Sequence, residues 1–156
     1  MKKNQKNIFY ITGVNEDNLK NSPLLEMYKE KNIEVLIMDQ EIDEFVIPSV
    51  NKYKEHDLKS VNYSDAADEL KSDEEKENEG DLKPLIKKIT QVLGDQVKEV
   101  KTSSRLKDSP SCIVADSNDP TAKMQEMMRA MGQPGNQNIK PILEINPSHA
   151  IIKKMK

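Results

Sequence analysis

Cys112, Asp116 and His149 are the only residues that could be drawn as a nucleophile, its orienter and a base. A thiol attacks as the thiolate, and Cys112 lies in the apolar run CIVA, where a cysteine is usually an inert core residue. His149 stands near the chain end, and no Gly-rich turn presents a nucleophile. Geometry defines a triad, and the sequence supplies none, so no catalytic residue is assigned. His56 and His149 are the only two histidines and do not by themselves make a metal site. Gly13 follows a strand-like run, where nucleotides often bind in α/β units. It is a lone glycine without a GxGxxG fingerprint or a Lys-Ser/Thr phosphate cradle, so no cofactor site is read there.

A different chemistry is offered by Met124, Met127, Met128 and Met131. Their spacing of i, i+3, i+4 and i+7 places four thioethers on one face of a helix. Asp119 is the expected N-cap, Pro120 the first helical residue and Gly132 the left-handed stop. Burying one Met is worth ~1.5–3 kcal/mol, so four approach the ~5–15 kcal/mol that hold a domain folded. Two uses of the face are open. It packs on the chain's own sheet, or it meets partners, for which an unbranched, polarizable side chain repacks better than Leu or Ile.

The elements that position these residues follow from periodicity and capping. Ile8–Thr12 reads as a strand, Ser22 caps a helix beginning at Pro23, and Glu34–Met38 is an apolar run read as a strand covered on both faces. Strand, helix and strand over some thirty residues suggest a βαβ unit with a right-handed crossover. A one- or two-turn helix from Asp43, or a turn-rich segment, is expected, with the run Phe45–Ile47 too broad for one buried face. His56–Tyr63 reads as an edge strand. Leu82, Leu85, Ile86, Ile89 and Leu93 mark a second amphipathic helix. Val97–Thr102, Cys112–Ala115 and Ile142–Asn146 are strands around the methionine helix, giving a small α+β unit.

Composition narrows the function. Of 156 residues only 35% are hydrophobic and 33% are charged, too polar for one fully buried domain, so linker or exposed helix is expected. The nine acidic residues between Asp65 and Asp81 are read, with their surroundings from Ser64, as a solvated linker or frayed helix. No basic stripe with interleaved aromatics points to nucleic acid. A single cysteine fits a reducing compartment, and neither a signal peptide nor a run of ~20 apolar residues is present, so a cytoplasmic protein is expected.

In order along the chain, IFYITG, NSPLLEMYKEKNIEVLIMDQEIDEF, SSRLKDSPSCIVADSNDPTAKMQEMMRAMGQ and KPILEINPSHAIIKKM closely resemble the heat-shock protein 90 chaperone family, bacterial HtpG type. The resemblance covers all but the acidic segment. It implies the end of a middle domain over residues 1–63, an acidic linker and connecting helix over 64–96, and an incomplete C-terminal domain over 97–156. The fold class expected is α/β followed by α+β. Full-length relatives use ATP and magnesium and act as homodimers. The motifs of the ATP domain, of the middle-domain arginine loop and of the dimer helices are not in this sequence, so a monomer without ATPase activity is expected. Met1 aligns with an internal Met of relatives, which suggests a truncated reading frame or a domain piece. By the resemblance, Met124, Met127, Met128, Met131 and Phe45 line a face that touches unfolded or partly folded client proteins. Bacterial relatives often carry Trp at the position of Phe45, whose ring lacks the indole N–H.

Overall fold

The computed structural model describes residues 1, 5–70, 82–132 and 139–155. Its first sheet is built on β1 (Asn7–Thr12), which pairs in parallel with β2 (Val35–Met38) on one side and with β4 (His56–Ser60) on the other. The two-residue strand β3 (Lys52–Tyr53) forms a hairpin with β4, so the order is β2-β1-β4-β3. The parallel β1–β2 pair with helices between its strands is the expected βαβ unit. Its connection holds α1 (Glu16–Lys20), a 3-10 turn at Pro23–Leu25 and α2 (Glu26–Glu30). Ser22 Oγ accepts from the Leu24 N–H at 3.3 Å, as its place before Pro23 suggested. Helix α1 was not expected. It is one turn, too short to show periodicity, and its signal is the Asn15 side chain accepting from the Asn18 N–H at 3.1 Å.

Phe9 and Ile11 of β1 pack with Leu19, Leu25, Met27, Tyr28, Val61 and Ala67 in the first core. Gly13 belongs to this packing. A Cβ there would stand 2.7 Å from Leu19 Cδ2, so the glycine lets α1 close on the strand end.

Three expectations need correction here. Strand β2 is the sheet's edge, not a strand covered on both faces: Leu36 is exposed and its neighbours are only half-buried. Strand β4 lies between β1 and β3 and ends at Ser60, so it is not the edge strand that loose alternation suggested. The acidic segment is not solvated from Ser64. Ser64–Leu70 is a 3-10 helix, Ala66 and Ala67 are buried, and the Tyr28 hydroxyl donates to the Ala66 carbonyl at 3.2 Å. Small side chains let the turn seat against the core despite its acidic neighbours. The rest of the acidic run, residues 71–81, lies outside the described residues.

The second unit opens with α4 (Lys83–Leu93), followed by β5 (Glu99–Thr102), β6 (Ser111–Val114), α5 (Ala122–Ala130), β7 (Ile142–Ile145) and α6 (Ala150–Lys154). Its sheet has the order β5-β7-β6, with β7 parallel to β5 and antiparallel to β6. Leu82 and Leu85 join Val100, Ile145 and Ile152 in a second core, with Ile86, Ile89 and Leu93 packed against it. The periodicity of the amphipathic helix therefore identified its buried face. The loop Pro134–Asn138 lies outside the described residues.

The two units are joined by polar contacts as well as by chain. Tyr63 and Ala115 form a bridge, flanked by Ala115 N–H to Asn62 O at 3.0 Å and Ser64 N–H to Ala115 O at 2.9 Å. Fully buried Arg105 sends its guanidinium into the first unit, donating to the carbonyls of Val61 (2.7 Å), Tyr63 (2.9 Å) and Ser64 (3.1 Å). In the other direction, Glu26 accepts from the backbone N–H groups of Lys107, Asp108 and Ser109 and from the Ser109 hydroxyl.

Candidate functional site

Helix α5 begins later than expected. Thr121, not Asp119, is its cap, with Oγ1 accepting from the Met124 N–H at 3.1 Å. Asp119 is drawn away by Lys98, whose Nζ lies 3.0 Å from both Asp119 and Asp116. Pro120 accordingly precedes the helix instead of opening it. Gly132 takes φ +73°, the left-handed stop that was anticipated.

Helix α5 buries no residue. Met124, Met127 and Met128 are half-buried and Met131 is 60% exposed. None belongs to either core cluster. Helix α3 (Asp43–Val50) lies alongside: the Thr121 hydroxyl donates to Glu44 Oε2 at 3.1 Å, and Lys123 pairs with Glu41 at 3.6 Å. Phe45 on α3 is half-buried, and the run that follows it reaches the surface, as its breadth implied. Ile42 (61% exposed), Val46 and Val50 stand at i, i+4 and i+8, a stripe of exposed aliphatic side chains. Ile42 and Val50 were not singled out from sequence, because Pro48 argues against a regular helix through the segment and so takes the weight from their four-residue spacing. Asn51 ends α3 with φ 43°, a left-handed stop that Asn tolerates.

Glu44 was also missed. It sits on the same helix but is 3% exposed, and nothing in IDEF distinguishes it from its acidic neighbours. Its charge is felt nearby: burial first, then Glu44 and Asp65, push the Tyr63 phenol above its ordinary value.

The residues considered for catalysis are engaged in structural tasks. Burial, reinforced by the negative charge of Glu144, pushes the Cys112 thiol up to about 12. Asp116 is held below its ordinary value by the Asn118 N–H and by Lys98. His149 caps α6, its Nδ1 accepting from the Ile151 N–H at 3.2 Å. His56 Nδ1 bonds the Lys6 carbonyl at 3.0 Å. Among the described residues no cluster of His, Cys, Asp and Glu is arranged to hold a metal, and no helix is long and apolar enough to cross a membrane.

The family model for the Hsp90 protein matches residues 1–156. The chain is 52% identical over its whole length to the chaperone protein HtpG of Treponema denticola, covering 25% of that protein. It is 48% identical to the HtpG of Treponema pallidum, again over the whole chain and 25% of the relative. It is 53% identical, over 97% of the chain, to the HtpG of Campylobacter jejuni, covering 24% of it. The chain thus spans about a quarter of the length of these relatives. With a match that runs end to end through both sheets and their junction, the chain belongs to the Hsp90 family.

Proposed function

We propose that this chain binds unfolded or partly folded protein through Met124, Met127, Met128, Met131 and Phe45, as one portion of an ATP-dependent folding chaperone of the bacterial cytoplasm. The observation that carries the reading is that three methionines stand at helical spacing on α5, Met131 follows at its C-cap, and none of the four enters either core. The aliphatic stripe on neighbouring α3 supports it, because an adaptable apolar area flanked by charge suits variable partners. Residues 1–63 are assigned to the end of a middle domain, 64–96 to a connection and 97–156 to an incomplete C-terminal domain. The chain alone is expected to be a monomer without ATP turnover, since the resemblance places the nucleotide pocket and the dimer helices of full-length relatives outside it.

The test is a titration of a permanently unfolded protein, such as reduced and carboxymethylated α-lactalbumin, into the chain and into a Met124→Ser/Met128→Ser variant. At least tenfold weaker binding by the folded variant is expected. Unchanged affinity with an intact circular dichroism spectrum would remove the surface. The half-burial of three of the four methionines favours a second reading, in which the face is internal packing of an assembly module with no client site of its own. In that case the double variant loses stability and its affinity for the unfolded protein stays the same.

A further inference from the structure

Strand β2 leaves one side of its backbone open. The Gly13 N–H donates to the Met38 carbonyl at 3.2 Å, so Met38 and, by alternation, Leu36 turn their backbone groups toward β1. The register Ile11↔Ile37 agrees, since a residue in a parallel pair bonds to the two neighbours of its partner. Val35 and Ile37 therefore point their N–H and C=O groups away from the sheet, and no described strand lies beyond them. Val35–Met38 contains neither Lys nor Pro, the residues that commonly blunt an exposed edge.

A groove of about 340 Å³ adjoins this edge on the side of α1 and α2. Val35 and Ile37 line it themselves, together with Tyr28, Ile33, Lys20 and Lys29. A strand laid along β2 would thus set every second side chain over an apolar floor, while its backbone met the outward groups of Val35 and Ile37. The two lysines differ in state. Lys20 is paired with Glu16 at 2.6 Å, whereas exposed Lys29 donates to the Lys20 carbonyl and meets no carboxylate among the described residues. The groove therefore combines apolar side chains, four outward backbone groups and one positive charge without a counter-charge.

We propose that β2 accepts an extended segment of a partner protein as an added strand, with apolar residues at alternate positions and a carboxylate on the same side that meets Lys29. Main-chain hydrogen bonds to Val35 and Ile37 supply affinity, and the groove and the ammonium select the side chains. The backbone groups favour a peptide over a small amphiphile, and the charge favours an acidic one. No methionine of α5 lines the groove, so the proposal does not rest on the client-binding reading.

The test titrates two blocked hexapeptides, Glu-Thr-Val-Thr-Val-Thr and Thr-Val-Thr-Val-Thr-Glu, into the isotopically labelled 156-residue chain, following the amides of Val35 and Ile37. In each peptide the valines and the glutamate share one side of the strand, and the two orders cover both directions of pairing. Saturable binding of at least one is expected, at least tenfold tighter than that of its counterpart with Lys in place of Glu. Methylating the nitrogens along one edge of the peptide should weaken it at least tenfold more than methylating those along the other, since only one edge faces β2. Ile37→Pro removes an outward N–H without touching the bonds to β1, a change an edge strand tolerates, and should weaken binding at least tenfold. Lys29→Glu should reverse the preference for the Glu peptide, and decides the matter if the first variant fails to fold. Equal binding of the Glu and Lys peptides overturns the proposal, as does equal loss from the two methylation patterns. Shifts of Val35 and Ile37 that grow with chain concentration alone also overturn it, because a second copy would then be the occupant.

Discussion

Arg105 Nε lies 3.0 Å from Glu144 Oε2, with the arginine side chain fully buried and the glutamate nearly so. The pair is buttressed on both sides. Ser103 Oγ donates to Glu144 Oε2 at 2.7 Å, Lys101 approaches its Oε1 at 3.6 Å, and the guanidinium also holds three carbonyls of the neighbouring unit. The charge pair lies within the second unit and fixes the guanidinium whose three carbonyl bonds reach across to the first, so it supports one of the junctions between two units with separate cores.

Arg105→Met should therefore destabilise the chain by about 3–5 kcal/mol, the usual cost of leaving one member of a buried pair uncompensated. Adding Glu144→Leu should recover part of that loss, because the stranded carboxylate is removed. Urea denaturation of the single and double variants measures both effects. A double variant less stable than Arg105→Met would mean that Glu144 matters through its other partners.

The second clasp between the units is pH-dependent. Partial burial tends to raise the Glu26 pKa, but the hydrogen bonds from Ser109 Oγ and from the N–H groups of Lys107, Asp108 and Ser109 outweigh it and hold the carboxyl below its ordinary value. A lowered folded-state pKa means the stabilisation is full above the unfolded carboxylate value, ~4.3, and is lost as pH falls through the lower folded value. Glu26→Gln should cost about 1–3 kcal/mol at pH 7, as expected for hydrogen bonds to a charged group. The difference from the parent should shrink as the pH is taken from 5 to 3. Paired urea melts over that range check it.

Cys112 should be chemically silent. With its thiol half-buried and pushed up to about 12, alkylation by iodoacetamide at pH 8 should run at least tenfold slower than for an exposed cysteine. Mass spectrometry of timed samples reads the rate, and 6 M urea should restore ordinary reactivity.

The methionines should oxidise in order of exposure. Dilute peroxide should convert exposed Met131, Met1 and Met155 first, then half-buried Met38, Met124, Met127 and Met128, and last the fully buried Met27. Peptide mapping gives the order. If the proposed client surface is used, a sulfoxide at Met131 lowers affinity for the unfolded protein before the fold is lost.

Much of this protein was legible in local pattern. The 3.6-residue period of Leu82, Leu85, Ile86, Ile89 and Leu93 named the face that packs in the second core, because a helix face and a hydrophobic stripe are the same geometric object. The β–β–α–β succession and Gly132 as a helix stop followed from equally local rules. What only the tertiary structure decided depends on partners distant in the chain. Composition marked the residues from Ser64 onward as solvated, yet Ala66 is sealed because Tyr28 and the first core come to meet it. An apolar run such as Val35–Met38 does not encode whether another strand stands beyond it, so its place at the sheet edge was invisible. Asp119 had the right chemistry for a cap and lost the role to Thr121, since Lys98, twenty-one residues earlier in sequence, reached it first. Neither Arg105 nor Glu44 differs in local sequence from a surface charge. Their burial comes from the way the two units close on each other, a property of packing that no single segment carries.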